Sequence, residues 1–279
     1  MLHIPTAGPF PPDDGRLALA LAAGAGGVLV GLRAQVDAGA FAGCSLGDAG
    51  DAAAQAYLAG TLCQARPDDA VLSEEGRDRS QRLLAERVWI IDPLDGTREF
   101  AERTPGGRWR DDFSVHVALW RRGRGLTDGA VALPGRGLLY GSAAPTRSEL
   151  GSAETVLAGR RRLRVAVSRT RPPMILDRLA GDEVELVPMG STGVKAMAVL
   201  EGTVDAYVHA GGQYEWDSAA PVAVAAAAGL VASRLDGSAL VYNKADPWSP
   251  DLLICHPSLV RVVRRMLASV AAGEAQGGS

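Results

Sequence analysis

The residues best placed to do chemistry are Asp92, Asp95 and Thr97, in the run Trp89-Ile90-Ile91-Asp92-Pro93-Leu94-Asp95-Gly96-Thr97. Val88 to Ile91 are β-branched or aromatic, and Pro93 biases Asp92 towards extended backbone, so the first acid is expected at the carboxyl end of a buried strand. Gly96 permits a tight turn behind the second acid. Ionised carboxylates in such a place are costly unless they are paired or hold a cation, and hard oxygen donors suit Mg²⁺ or Mn²⁺ rather than zinc. Thr97 then offers a hydroxyl within reach of a water on that cation.

Three further acids extend the pattern. Glu74 closes the strand-like stretch Ala70-Val71-Leu72-Ser73, near enough in sequence for neighbouring strands to bring it beside Asp92 and Asp95, with Glu75 as an outer neighbour. Asp217, in Glu215-Trp216-Asp217-Ser218-Ala219-Ala220, starts an alanine-rich helical stretch, and Asp51 starts an earlier one; taken alone, either reads as a helix cap. Other motifs carry less. Cys255 and Arg261 have the Cys-x5-Arg spacing of thiol phosphatases, but Pro257, Leu259 and Val260 cannot form the required cradle of amides. Asp92 and Asp95 are three apart, not two as in aspartyl-phosphate enzymes, and there is no Walker loop. His3, His116, His209 and His256 lack zinc spacing, and Arg121-Arg122 and Arg160-Arg161-Arg162 read as solvated strand ends.

The elements that must position these residues follow from the pattern. A helix capped by Asp13 or Asp14 carries Leu17, Leu21, Val28, Leu32 and Val36 on one stripe, weakened by Gly24, Gly26 and Gly27; after a loop at 38–47, a second runs from about Asp51 to Ala65. Phe113, Val115, Val117 and Leu119 alternate with Ser114, His116 and Ala118, the period of a strand with one apolar face. Pro134-Gly135-Arg136-Gly137 joins a hairpin, so the first half is expected to be two helices on a meandering sheet. The stretch 143–162 loses any period and separates two halves, 1–150 (α+β) and 151–279 (α/β). Beyond it come strands at 163–167, 185–188, 204–208, 230–234 and 252–255. Helices alternate with them from Pro172, Thr192, Asp217 and about Ser258, before a loose tail from Glu274.

With 29 basic and 32 acidic side chains the net charge is −3, which favours neither a nucleic-acid-coating surface nor an acidic tail. Three cysteines, Cys44, Cys63 and Cys255, fit no disulfide framework, and the start shows no secretory signal, so a cytoplasmic protein is expected. The nearly uncharged 218–233 stretch contains Pro221, is too short to span a bilayer, and reads as a buried helix leading into a strand.

Asp-Pro-Leu-Asp-Gly-Thr at 92–97, Glu74-Glu75 before it and Trp-Asp-x-Ala-Ala at 216–220 resemble the signatures of the Mg²⁺-dependent, lithium-sensitive phosphatases. These include inositol monophosphatase, fructose-1,6-bisphosphatase and the 3′(2′),5′-bisphosphate nucleotidases. Arg98-Glu99-Phe100, Val167-Ser168-Arg169-Thr170 and Gly190-Ser191-Thr192-Gly193-Val194-Lys195 are similar to segments of the nucleotidase branch. The resemblance implies a layered αβαβα sugar-phosphatase fold, with two or three Mg²⁺ ions, or Mn²⁺, held by Glu74, Asp92, Asp95, Asp217 and the Leu94 carbonyl. It implies that Thr97 and Asp51 activate water, and that Gly96, Thr97, Ser168, Arg169, Gly190, Ser191, Lys195 and Glu215 bind a small nucleotide. The implied activity removes the 3′-phosphate of adenosine 3′,5′-bisphosphate, with its sulfated relative as an additional candidate substrate, in a monomer or homodimer without nucleic-acid partners or membrane insertion. An inositol-phosphate or fructose-bisphosphate phosphatase is the enzymatic alternative. A silent nucleotide sensor is the other, because Gly47 to Asp51 departs from the family's Thr-x-Ala-Asp approach.

Overall fold

The computed structural model describes residues 10–41, 45–78, 80–145, 151–172 and 183–276; Cys44 and the helix expected after Pro172 lie in whole or in large part outside them. Helix α1 (Asp14–Asp37) opens on Asp13, whose carboxylate accepts from the Arg16 amide at 2.8 Å. Its buried stripe runs through Leu17, Ala18, Leu21, Ala22, Ala25 and Leu29, while Val28, Leu32 and Val36 are only partly buried. The face is turned by its glycines. A Cβ on Gly24 would lie 1.9 Å from the Tyr57 hydroxyl and one on Gly26 2.9 Å from Pro134 Cγ, so these residues are close-approach sites rather than simple weaknesses. By length and composition α1 could cross a membrane, but here that stripe packs onto the next helix and the first sheet.

Helix α2 (Leu46–Ala65) starts earlier than its sequence suggests, because Ser45 caps it by accepting from the Asp48 amide. Asp51 therefore sits in the second turn and not at the cap. The chain continues through β1 (Ala70–Ser73), β2 (Arg87–Asp95), the single turn α3 (Thr97–Ala101), β3 (Ser114–Arg121), β4 (Gly125–Leu133) and β5 (Leu138–Gly141). These strands form one sheet in sequence order, β1 parallel to β2 and the rest antiparallel. Trp89, Ile91, Val115, Val117 and Ala130 pack against α1 and α2. Val88, Ile90, Ala118 and Val131 face the other way and are equally buried. The expectation of one apolar face on β3 is thus corrected: Ser114, His116 and Ala118 are fully enclosed.

What encloses them is the middle layer. After α4 (Gly151–Leu157), β6 (Leu163–Ser168) and β7 (Val184–Met189) come α5 (Thr192–Leu200), β8 (Ala206–Tyr214) and α6 (Glu215–Ala227). Strands β9 (Val231–Ser233) and β10 (Trp248–Cys255) and helix α7 (Val260–Gln276) complete the chain. The second sheet has the order β7-β6-β8-β10-β9, parallel at β7-β6-β8 and antiparallel beyond. Every residue of α5 is buried, because Val194, Met197 and Val199 share a core with α6 and with facing residues of both sheets, among them Ile90 and Ile254. The outer face of the second sheet, with Val165, Val208 and Leu253, is closed by Ala153 of α4 and by Val263 and Leu267 of α7. The layers are therefore αβαβα. Strands β8 and β10 are longer than expected, and α7 extends through Glu274 to Gln276 where a loose tail was expected.

Candidate metal centre and substrate cleft

Asp92 and Asp95 would face opposite sides of a regular strand. The register of β2 against β3 shifts between them, Asp92 pairing with His116 and Asp95 with Ser114, and this irregularity over Pro93 and Leu94 turns the second acid back towards the first. Asp217, third residue of α6, is carried to the same place by the packing of that helix between the sheets, and its Oδ2 accepts from the Tyr214 amide at 2.6 Å. It is not the helix cap. Each of the three acids presents an oxygen within 4.8 Å of the others.

Such a cluster is electrostatically unstable without a cation. Burial raises the Asp92 carboxyl well above its usual range, reinforced by Asp95, Glu74 and Asp217, and its Oδ2 has no hydrogen-bond partner among the described residues. Burial and the charge of Asp95 push Asp217 up to about 8. An orphaned, fully buried carboxylate oxygen within an all-oxygen donor set fits a hard divalent ion. Glu74 flanks the three at the end of β1: desolvation, then the charges of Asp95 and Asp51, raise it to about 7.

Thr97 Oγ1 lies 3.2 Å from the Leu94 carbonyl and 3.4 Å from Asp51 Oδ1, so one hydroxyl links the strand end to α2. Burial, then the charge of Glu75, raises Asp51 to about 7. Gly96, at φ 92°, makes the intervening turn, and a Cβ there would meet the Phe113 backbone at 3.3 Å.

Opposite stands the first turn of α5. Asp95 Oδ2 accepts from the Ser191 hydroxyl at 2.7 Å and from the amides of Thr192 and Gly193, an anion at a helix N-terminus. Ser191 Oγ also touches Ser114 Oγ, which meets His116 Nε2 at 2.7 Å. His116 Nδ1 faces the Trp216 carbonyl at 3.3 Å, which can only accept, so Nδ1 carries the proton and Nε2 accepts from Ser114. Burial lowers the ring's pKa and keeps it neutral. His116, set aside for want of zinc spacing, is thus the bridge between the two signatures; its place opposite Asp92 was hidden in strand register. Lys195 is buried rather than solvent-exposed, with Nζ donating to the Gly190 carbonyl at 3.2 Å.

Glu74, Asp95 and Asp217 open onto a cleft of about 860 Å³ walled by Gly96, Thr97, Ser168, Gly190, Ser191 and Lys195. Two expected binding residues do not line it. Arg169 donates to Glu99 Oε1 and lies among Glu102 and Asp112, so its guanidinium ties β6 to α3; Thr170 and Arg171 face the cleft instead. Glu215 is fully buried and accepts from the amides of Asn243 and Lys244, fixing the loop before β10. The opposite wall carries aromatic side chains that the sequence reading did not single out, Tyr214 and Trp248, beside Trp216 and His209.

The model of the inositol monophosphatase family matches residues 45–267. The chain belongs to the inositol monophosphatase family. Within that family it is 51% identical over 250 residues to a 3′-phosphoadenosine 5′-phosphate phosphatase of Mycobacterium bovis, covering 88% of this chain and 89% of the relative. It is 32% identical over 208 residues to the 3′(2′),5′-bisphosphate nucleotidase CysQ of Escherichia coli K12, covering 70% and 78%. The crystal structure of CysQ from Bacteroides thetaiotaomicron superposes with a TM-score of 0.71 at 25% identity, over 87% of this chain and 97% of that one.

Proposed function

We propose that this chain is a Mg²⁺-dependent phosphatase that removes the 3′-phosphate of adenosine 3′,5′-bisphosphate to give AMP. The observation that carries the reading is the convergence of Asp92, Asp95 and Asp217 beside the Thr97–Asp51 pair, with Asp95, Thr97 and Asp217 lining one cleft. The relatives named above, one of them half identical over most of both chains, support the choice of substrate.

Asp92, Asp95 and Asp217, with Glu74 and the Leu94 carbonyl at their edge, would hold the cations. When bound, these supply neutralisation of the phosphate charge and make a water more acidic. Thr97 Oγ1 orients the attacking water, and Asp51, poised near neutrality, takes its proton. The water oxygen bonds to phosphorus as the bond to the ribose 3′ oxygen breaks and that oxygen takes a proton from solvent water in the open cleft, giving AMP and inorganic phosphate with no phosphoenzyme. The charge of Lys195 and Arg171 favours an anionic substrate on the facing wall. The test is phosphate release from adenosine 3′,5′-bisphosphate, inositol 1-phosphate and fructose 1,6-bisphosphate in Mg²⁺. The nucleotide should be turned over fastest; equal or better turnover of inositol phosphate overturns the assignment, and metal-dependent binding without release marks a sensor.

A further inference from the structure

Tyr214 and Trp248 are respectively 46% and 44% exposed, although large aromatic side chains are ordinarily covered. They are directly paired across β8 and β10, which places both on one side of the sheet, and both line the cleft. The Tyr214 ring stacks on Trp216 with centroids 4.7 Å apart and planes 11° from parallel, so its exposed surface is the face and edge turned away from that indole. Trp248 packs against Gly212, where φ is 93° and a Cβ would be 2.6 Å from the indole nitrogen.

This wall is tied to the metal centre at the backbone. The Tyr214 amide donates to Asp217, and the Trp216 carbonyl accepts from His116, so the rings stand at a fixed offset from the acids. Asp95 and Asp217 line the same cleft as Tyr214, Trp216 and Trp248, so a substrate with its phosphate at the acids has room to extend towards this wall. Stacked aromatic rings with an open face suit a planar heterocycle, since every base presents a π-face.

We propose that Tyr214, backed by Trp216 and flanked by Trp248, seats the nucleobase of the substrate and determines selectivity for a nucleotide over a phosphate ester that lacks a base. The proposal rests on the nucleotide reading above and adds where the base lies. Stacking discriminates weakly among bases, so adenine and guanine nucleotides should differ little.

The test is the ratio of kcat/KM for adenosine 3′,5′-bisphosphate to that for 1-deoxyribose 3,5-bisphosphate. Tyr214→Ala should lower this ratio about tenfold, through KM rather than kcat, and Tyr214→Phe should retain it. An unchanged ratio in Tyr214→Ala overturns the seat, whereas a ratio near one in the unaltered enzyme overturns the nucleotide reading itself. A second measurement uses Thr97→Ala, which binds with little turnover: in Mg²⁺ the nucleotide should quench tryptophan emission and the base-free ester should not. Equal quenching by both assigns the wall to the sugar, and no quenching by either removes ligand from it; each result refutes the proposal.

Discussion

Asp92 concentrates the chemistry of the site in one side chain, because its Oδ1 is satisfied by the Leu94 amide while its buried Oδ2 has no partner among the described residues. Asp92→Asn keeps the first bond and removes the charge. Turnover should fall at least about a hundredfold, and the rise in melting temperature that Mg²⁺ gives the unaltered protein should vanish. A normal Mg²⁺ shift in this variant, read by calorimetry, would place the ion elsewhere. Thr97 separates binding from chemistry. Thr97→Ala should retain nucleotide affinity by titration calorimetry while phosphate release drops by about a hundred- to ten-thousand-fold, the range spanned by positioned proton-transfer groups. Loss of affinity in step with rate would make Thr97 a binding residue only.

At the scale of elements, the site depends on how closely α5 approaches β3. A Cβ at Gly193 would stand 2.4 Å from both His116 Nε2 and Ser114 Oγ, atoms held in the bridge between Asp95 and Trp216. Gly193→Ala should therefore cost about 1–3 kcal/mol in stability and reduce kcat as well, since the first turn of α5 must withdraw its amides from Asp95. A denaturant titration and a rate measurement check both effects; a stable, fully active variant would refute the close fit. Glu215 and Asp217 are neighbours in sequence with different tasks. Glu215→Gln places an amide against a backbone N–H of the loop at Asn243 and Lys244, so stability should fall by about 1–3 kcal/mol. Its kcat should change far less than that of Asp217→Asn, and the reverse order would restore Glu215 to the reaction.

Over the whole molecule, the gathered acids make stability depend on pH. Glu74 and Asp51 are raised to about 7 and Asp217 to about 8 in the metal-free fold, above their values in an unfolded chain near 4. The native state then binds more protons than the unfolded one between those limits, so metal-free stability is greatest below about pH 4 as far as these groups decide it and falls as pH rises to about 8. Mg²⁺ opposes this loss because it binds the ionised acids. Melting temperatures in chelator should fall from pH 5 to pH 8, and the increment given by Mg²⁺ should grow over the same interval. An increment independent of pH would mean that these carboxylates do not hold the ion.

The sequence alone determined the local chemistry: the acids at the end of β2, the Thr97 hydroxyl beyond Gly96, the place of Asp217 in the first turn of a helix and the alternation of strands with helices. These are short-range properties, fixed by strand periodicity, by proline and glycine backbone preferences and by residue type. Tertiary structure decided which side chains meet. It placed His116 between the two signatures through the register of β2 with β3, buried both faces of β3 under the shared middle layer, and turned α1 on its glycines. It also drew Arg169 into Glu99 and Glu215 into the loop at Asn243, leaving Arg171 and the aromatic wall on the cleft. Charge and aromaticity are visible in a sequence, but the partner of a charge and the open face of a ring depend on packing between residues far apart along the chain.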